Sequence, residues 1–173
     1  MGYKREVITQ RMTTTGTAGA MTASADYPLY VVTASLGDEV SGCLAGFVTQ
    51  CSISPVRFIV CISKVNHTFG IAERSKSLAL HLLGADQLAM ASIFGELTGD
   101  VTDKFERVQW APGFTGAPVL SECAAWAEGS ILNRMSGGDH EAFLLAVRDG
   151  GRGHHEGRLM LSDAPGLEPG HPA

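Results

Sequence analysis

Several familiar signatures are missing from this chain. It has no GxGxxG between a strand and a helix, which excludes a Rossmann dinucleotide fold. Its four cysteines, Cys43, Cys51, Cys61 and Cys123, show no CxxC spacing. That excludes a zinc ribbon or thioredoxin-type motif and leaves reduced thiols in apolar runs. Basic clusters are absent and the net charge is −5, so nucleic acid is not expected as a partner. No apolar stretch is long enough for a membrane-spanning helix, so no membrane partner is expected. The opening residues lack the continuous apolar run of a secretion signal, and a cytoplasmic protein is the expectation. On that reading Asn66-His67-Thr68 is an accidental match to a glycosylation sequon. His154-His155-Glu156 brings no third ligand, so no metal site is expected.

What is present is apolar sequence in short runs. Residues that are apolar make up 45% of the 173, enough for one domain with a real core. Residues 1–25 are rich in Thr, Ala and Gly and read as an N-terminal lead-in. The folded domain is expected over 26–149, and 150–173, rich in Gly, His and Pro, reads as a flexible tail in which 159–161 could dock. Strands are expected at 27–34 (YPLYVVTA), 43–50, 57–63 (RFIVCIS), 78–83 (LALHLL) and 140–147 (HEAFLLAV). The stretch 119–135 reads as one long strand or two. Helices are expected after Asn66, as its N-cap, and over 85–97 with Asp86 as the cap. Gly137-Gly138 marks a tight turn. Many strands with a few short helices and no βαβ alternation predict a mainly-β fold, an antiparallel barrel.

The segment 36–68 carries the functional signal. Hydroxyls, amides and a cation sit at two strand exits: Thr49, Ser52, Lys64, Asn66, His67 and Thr68. These are donor types that hold a phosphate beside a helix start. Taken singly, each has a plainer reading: Lys64 as a solvated side chain, Asn66 as a cap, His67 as a surface residue. His81, inside an apolar strand, reads as a satisfied core or interface histidine.

In order and spacing these pieces resemble the flavin reductase-like proteins, whose fold is the FMN-binding split barrel. The resemblance is carried by VVTA, SGCLAGFVTQCSISP, SKVNHT, LALHLLGADQLAMASIFG, the pair Lys104-Phe105, GAPVL and GGDH. Two departures stand out: Pro55-Val56 where the family often has two prolines, and Leu44-Ala45-Gly46 with fewer hydroxyls. The resemblance implies a split antiparallel barrel of Greek-key type with a few short helices. It implies a flavin ring lying against Ala45, Gly46, Phe47, Val48, Thr49 and Gln50. The phosphate would lie near Cys51, Ser52, Lys64, Asn66, His67 and Thr68. His140 would face the ring and an incoming nicotinamide. The expected cofactor is FMN, with FAD as the alternative and NAD(P)H as co-substrate. The expected assembly is a homodimer that passes reduced flavin to an oxygenase partner. The other readings are a non-catalytic flavin carrier and a split barrel that uses a deazaflavin or haem.

Overall fold

The computed structural model describes residues 19–22, 24–99, 102–167 and 170. Most of the expected lead-in, 1–25, lies outside the described residues. Nine strands follow: β1 (Tyr30–Leu36), β2 (Glu39–Ala45), β3 (Val48–Ser52), β4 (Arg57–Ser63), β5 (Ser77–Leu82), β6 (Trp110–Pro112), β7 (Pro118–Leu120), β8 (Ala125–Ser136) and β9 (His140–Arg152). Two helices interrupt them, α1 (His67–Ala72) and α2 (Leu88–Gly95).

Seven strands form one sheet in the order β2-β1-β5-β8-β9-β4-β3, and β6 and β7 form a separate pair. Every ladder is antiparallel. The two edge strands, β2 and β3, are consecutive in the chain and joined only by Gly46 and Phe47. The sheet therefore curls until its edges meet at that link. This is the mainly-β split barrel expected from the sequence.

Strand β1 explains the curl's two-sided burial. Alternate side chains point to opposite faces. Val32 and Ala34 pack with Cys43, Val60, Ile62, Leu80, Phe143 and helix α1's Ile71. Val31 joins a second cluster with Leu83, Phe94, Phe105, Leu120 and Leu159. Both faces of the strand are covered, which is why 27–34 reads as a nearly unbroken apolar run.

The chain after residue 150 differs from the expected flexible tail. Residues 150–152 continue β9, and residues 153–167 lie against the body. Leu159 is buried, and its backbone bonds both Leu29 and Leu83 at 2.8 and 2.9 Å. Leu161 N–H donates to the Tyr27 carbonyl at 3.0 Å. His155 lies within hydrogen-bond distance of both Asp86 (2.9 Å) and Glu122 (3.1 Å). Asp86 is thus engaged by His155, and α2 starts two residues beyond it, after Gln87, which caps nothing with its side chain. No helix among the described residues is long and apolar enough to cross a membrane.

Candidate functional site

A cleft of about 340 Å³ opens where β2 passes into β3. One wall is Cys43 to Phe47, a second is Cys61 to Ser63 with Asn66 and His140, and a third comes from Tyr27, Leu161 and Leu167. Among the described residues no Lys or Arg lines it, and its surface is mainly carbon.

The link Gly46–Phe47 is its structural centre. A Cβ on Gly46 would stand 3.0 Å from two ring carbons of Tyr27, so glycine lets that ring close over the backbone. The Gly46 and Phe47 carbonyls accept from Val48 N–H (3.0 Å) and Cys61 N–H (2.9 Å). Among the described residues no carbonyl receives the N–H of either residue. Half-exposed Phe47 stands edge-on to Tyr27, centroids 5.7 Å apart, and to His140 at 5.4 Å.

His140 is delivered by the β8–β9 hairpin. The turn is closed by Gly137 N–H donating to the His140 carbonyl at 3.0 Å, and Gly138 sits at φ +123°, a conformation side chains other than hydrogen rarely adopt. His140 Nδ1 lies 2.8 Å from an Asp139 carboxylate oxygen. That hydrogen bond holds the Asp139 carboxyl below its ordinary pKa and orients the ring, leaving Nε2 as its second polar atom.

Of the residues expected at the ring, Ala45, Gly46 and Phe47 line the cleft, while Val48, Thr49 and Gln50 continue along β3, with Thr49 and Gln50 exposed. The residues expected at the phosphate are not gathered in one place. Asn66 lines the cleft. Cys51 and Ser52 flank a shallow depression at 50–54. The Lys64 ammonium donates to Ser136 Oγ (2.5 Å) and the Gly138 carbonyl (2.6 Å), so it braces the hairpin turn. Thr68 is buried, its hydroxyl bonded to Ser41 Oγ at 2.9 Å, and its N–H is capped by Asn66 Oδ1 at 2.9 Å. His67 Nδ1 lies 3.2 Å from the same Ser41 hydroxyl, and its ring lines a different hollow with Gly99. The N–H of Thr68 is consumed by the Asn66 cap that the sequence predicts.

Tyr27, Cys61 and Ser63 are among the lining residues that the sequence does not reveal. Cys61 and Ser63 sit in the run RFIVCIS, where a buried strand hides which side chains meet the cleft. The Ser63 hydroxyl is buried and has no hydrogen-bond partner among the described residues. Burial raises the pKa of both cleft thiols, Cys43 to about 11 and Cys61 by less, so the wall carries neutral sulfur.

The barrel, the cleft at its seam and the histidine on the closing hairpin define a small-molecule-binding split barrel. The model of the flavin reductase like domain matches residues 18–165, and the chain belongs to that family. It is 32% identical over 138 residues to diflavin flavoprotein A 3 of Nostoc sp., spanning 79% of this chain and 23% of that protein. It is 27% identical to the FMN reductase (NADH) of Acinetobacter baylyi over 62% of this chain and 57% of that one. The chain thus spans less than two thirds of either relative. Among solved structures, the NADH:FAD oxidoreductase of Streptomyces globisporus C-1027 superposes with a TM-score of 0.78 at 25% identity, over 90% of this chain and 92% of that one.

Proposed function

We propose that the protein is an NAD(P)H-dependent flavin reductase that binds FMN in the cleft at the β2–β3 link. The carrying observation is a carbon-lined cleft in which, among the described residues, the backbone N–H groups of Gly46 and Phe47 and the hydroxyl of Ser63 have no partner. This donor set fits a planar heteroaromatic ring. Backbone beside a glycine allows close approach, and fixed N–H dipoles favour the negative charge a reduced ring carries. A bound flavin supplies a two-electron acceptor for the hydride of a nicotinamide.

The chain's own part is positioning. Gly46 and Phe47 orient the ring through their backbone. Tyr27, Leu161 and Leu167 exclude water from one side. His140, aligned by Asp139, orients the nicotinamide or assists reduction through Nε2. Asn66 marks the polar end, toward the phosphate. Lys64 reaches a phosphate only by leaving Ser136 and Gly138. The relatives support this reading, because one is named for NADH-dependent FMN reduction and one for NADH:FAD oxidoreduction.

The same reading includes a homodimer, with exposed Phe47, Val65, Leu132 and Met135 as apolar surface for a second copy. It includes a cytoplasmic location, in keeping with four free thiols, and delivery of reduced flavin to an oxygenase partner.

The test is the visible spectrum of the protein loaded with FMN, followed without oxygen as NADH and then NADPH is added. Bleaching of the flavin bands at a turnover-competent rate is expected. Retained colour with both nucleotides identifies a carrier instead, and a Soret band in the purified protein identifies a haem barrel.

A further inference from the structure

Ser63 ends β4 with 9% of the residue's surface exposed. Among the described residues its Oγ meets neither solvent nor a hydrogen-bond partner. Such atoms are rare in folded proteins, because a hydroxyl removed from water without compensation destabilises the fold. This one lies in the cleft wall. The β4–β9 register sets Ser63 directly opposite His140, so the two residues stand side by side on that wall. The neighbouring polar atoms are occupied: His140 Nδ1 with Asp139, and Asn66 Oδ1 with Thr68 N–H.

The surroundings decide which kind of ligand atom suits this hydroxyl. Aliphatic, aromatic and thiol groups dominate the cleft, and no Lys or Arg lines it among the described residues. A phosphate dianion would be stripped of water there with only neutral donors to receive it, which is unfavourable. A neutral ring edge carrying both acceptors and an N–H donor is a better match. A serine hydroxyl rotates among three staggered positions and can donate in one and accept in another.

We propose that Ser63 is a flavin-positioning residue whose hydroxyl turns into the cleft to hydrogen-bond the polar edge of the isoalloxazine. The inference rests on the flavin-reductase reading above. It makes an unusual pair of demands with opposite signs. The hydroxyl strengthens ligand binding and weakens the ligand-free protein.

The experiment compares the parent with Ser63→Ala and with the near-isosteric Ser63→Cys. Each is titrated with FMN, riboflavin and lumiflavin by fluorescence quenching, and the flavin-free proteins are melted. The loss of one neutral hydrogen bond should weaken all three ligands by roughly tenfold in both variants. Flavin-free Ser63→Ala should melt at or above the parent. The absorption bands of bound flavin should shift between parent and variant, since they report hydrogen bonding to the ring. Unchanged lumiflavin affinity overturns the proposal. Weakening of FMN alone overturns it too, because it assigns the hydroxyl to the phosphate. A clear drop in the melting temperature of flavin-free Ser63→Ala would make the hydroxyl structural, again overturning it. If the parent itself binds none of the three flavins, the functional reading falls and takes this inference with it. Failure of the Ser63 variants alone leaves that reading standing.

Discussion

His81 and His140 illustrate how two histidines of one sheet take different work. His81 is fully buried, with Nδ1 donating to the Val31 carbonyl at 3.0 Å and Nε2 accepting from Leu120 N–H at 3.0 Å. Both nitrogens are satisfied only in the neutral ring, and burial pushes the pKa down to about 4 from 6.5. The unfolded chain takes up a proton below about 6.5 that the folded one refuses. Stability should therefore fall as pH drops through that window, by on the order of 3 kcal/mol in total. Urea unfolding at pH 7.5, 6, 5 and 4 measures it; a flat profile in that range would contradict the tautomer assigned here. His140, at the cleft, should matter for reduction and little for binding. His140→Ala is expected to leave the FMN dissociation constant nearly unchanged. It should slow anaerobic reduction by NAD(P)H by roughly one to two orders of magnitude. Stopped-flow traces matching the parent's would reduce His140 to a turn residue.

Elements show where local signals suffice. Asn66 caps α1 and Gly137-Gly138 turns the β8–β9 hairpin as the sequence predicts, because both devices act within a few residues of themselves. The predicted strand 43–50 is instead split: β2 ends at Ala45 and β3 begins at Val48. Nothing local announces that break, since SGCLAGFVTQ has no proline and keeps its apolar character. Tyr27 packing on Gly46 is a contact across sequence, invisible to periodicity. Lys64 and Asp86 follow the same pattern. Each finds a remote partner, the hairpin turn for Lys64 and His155 for Asp86, that competes with its local role. Buried Glu128 on β8 is another remote anchor. Its carboxylate accepts from Phe114 N–H (2.6 Å), Thr115 N–H (3.0 Å) and the Thr115 hydroxyl (2.8 Å), fastening the turn between β6 and β7. Glu128→Gln sets an amide donor among three donors and should cost roughly 2–3 kcal/mol. Thermal unfolding checks the cost, and an unchanged melting temperature would show the turn needs no anchor.

At the scale of the whole molecule, the segment after β9 works as a strap. It bonds the body at Leu159 and Leu161 and supplies Leu161 and Leu167 to the cleft. Its lone apolar residues among Gly, His and Pro give no periodic signal, which is why it reads as a tail. His155 fastens it, and hydrogen bonds donated to Asp86 and Glu122 raise the histidine's pKa. That clasp contributes stability below the ordinary pKa of 6.5 and loses it as pH rises through the raised value. The sign is opposite to that of His81. Limited proteolysis at residues 153–167 should accelerate between pH 6 and 9 in the parent. In His155→Ala it should be fast at both ends; a pH-independent parent would remove the clasp from the account.

The strand order carries one more consequence, for synthesis. Strands β2, β1 and β5 form one ribbon and β4 and β3 another, and within the sheet only the β8–β9 hairpin joins them. That hairpin is encoded by residues 125–152, late in the chain. A ribosome that has delivered every earlier strand still holds two separate ribbons, each with an unpaired apolar edge. The barrel seam, and the cleft with it, can form only once those last strands emerge. Until then the nascent protein depends on whatever shields such edges in the cell, so translation pausing ahead of residue 125 is where its yield is most exposed.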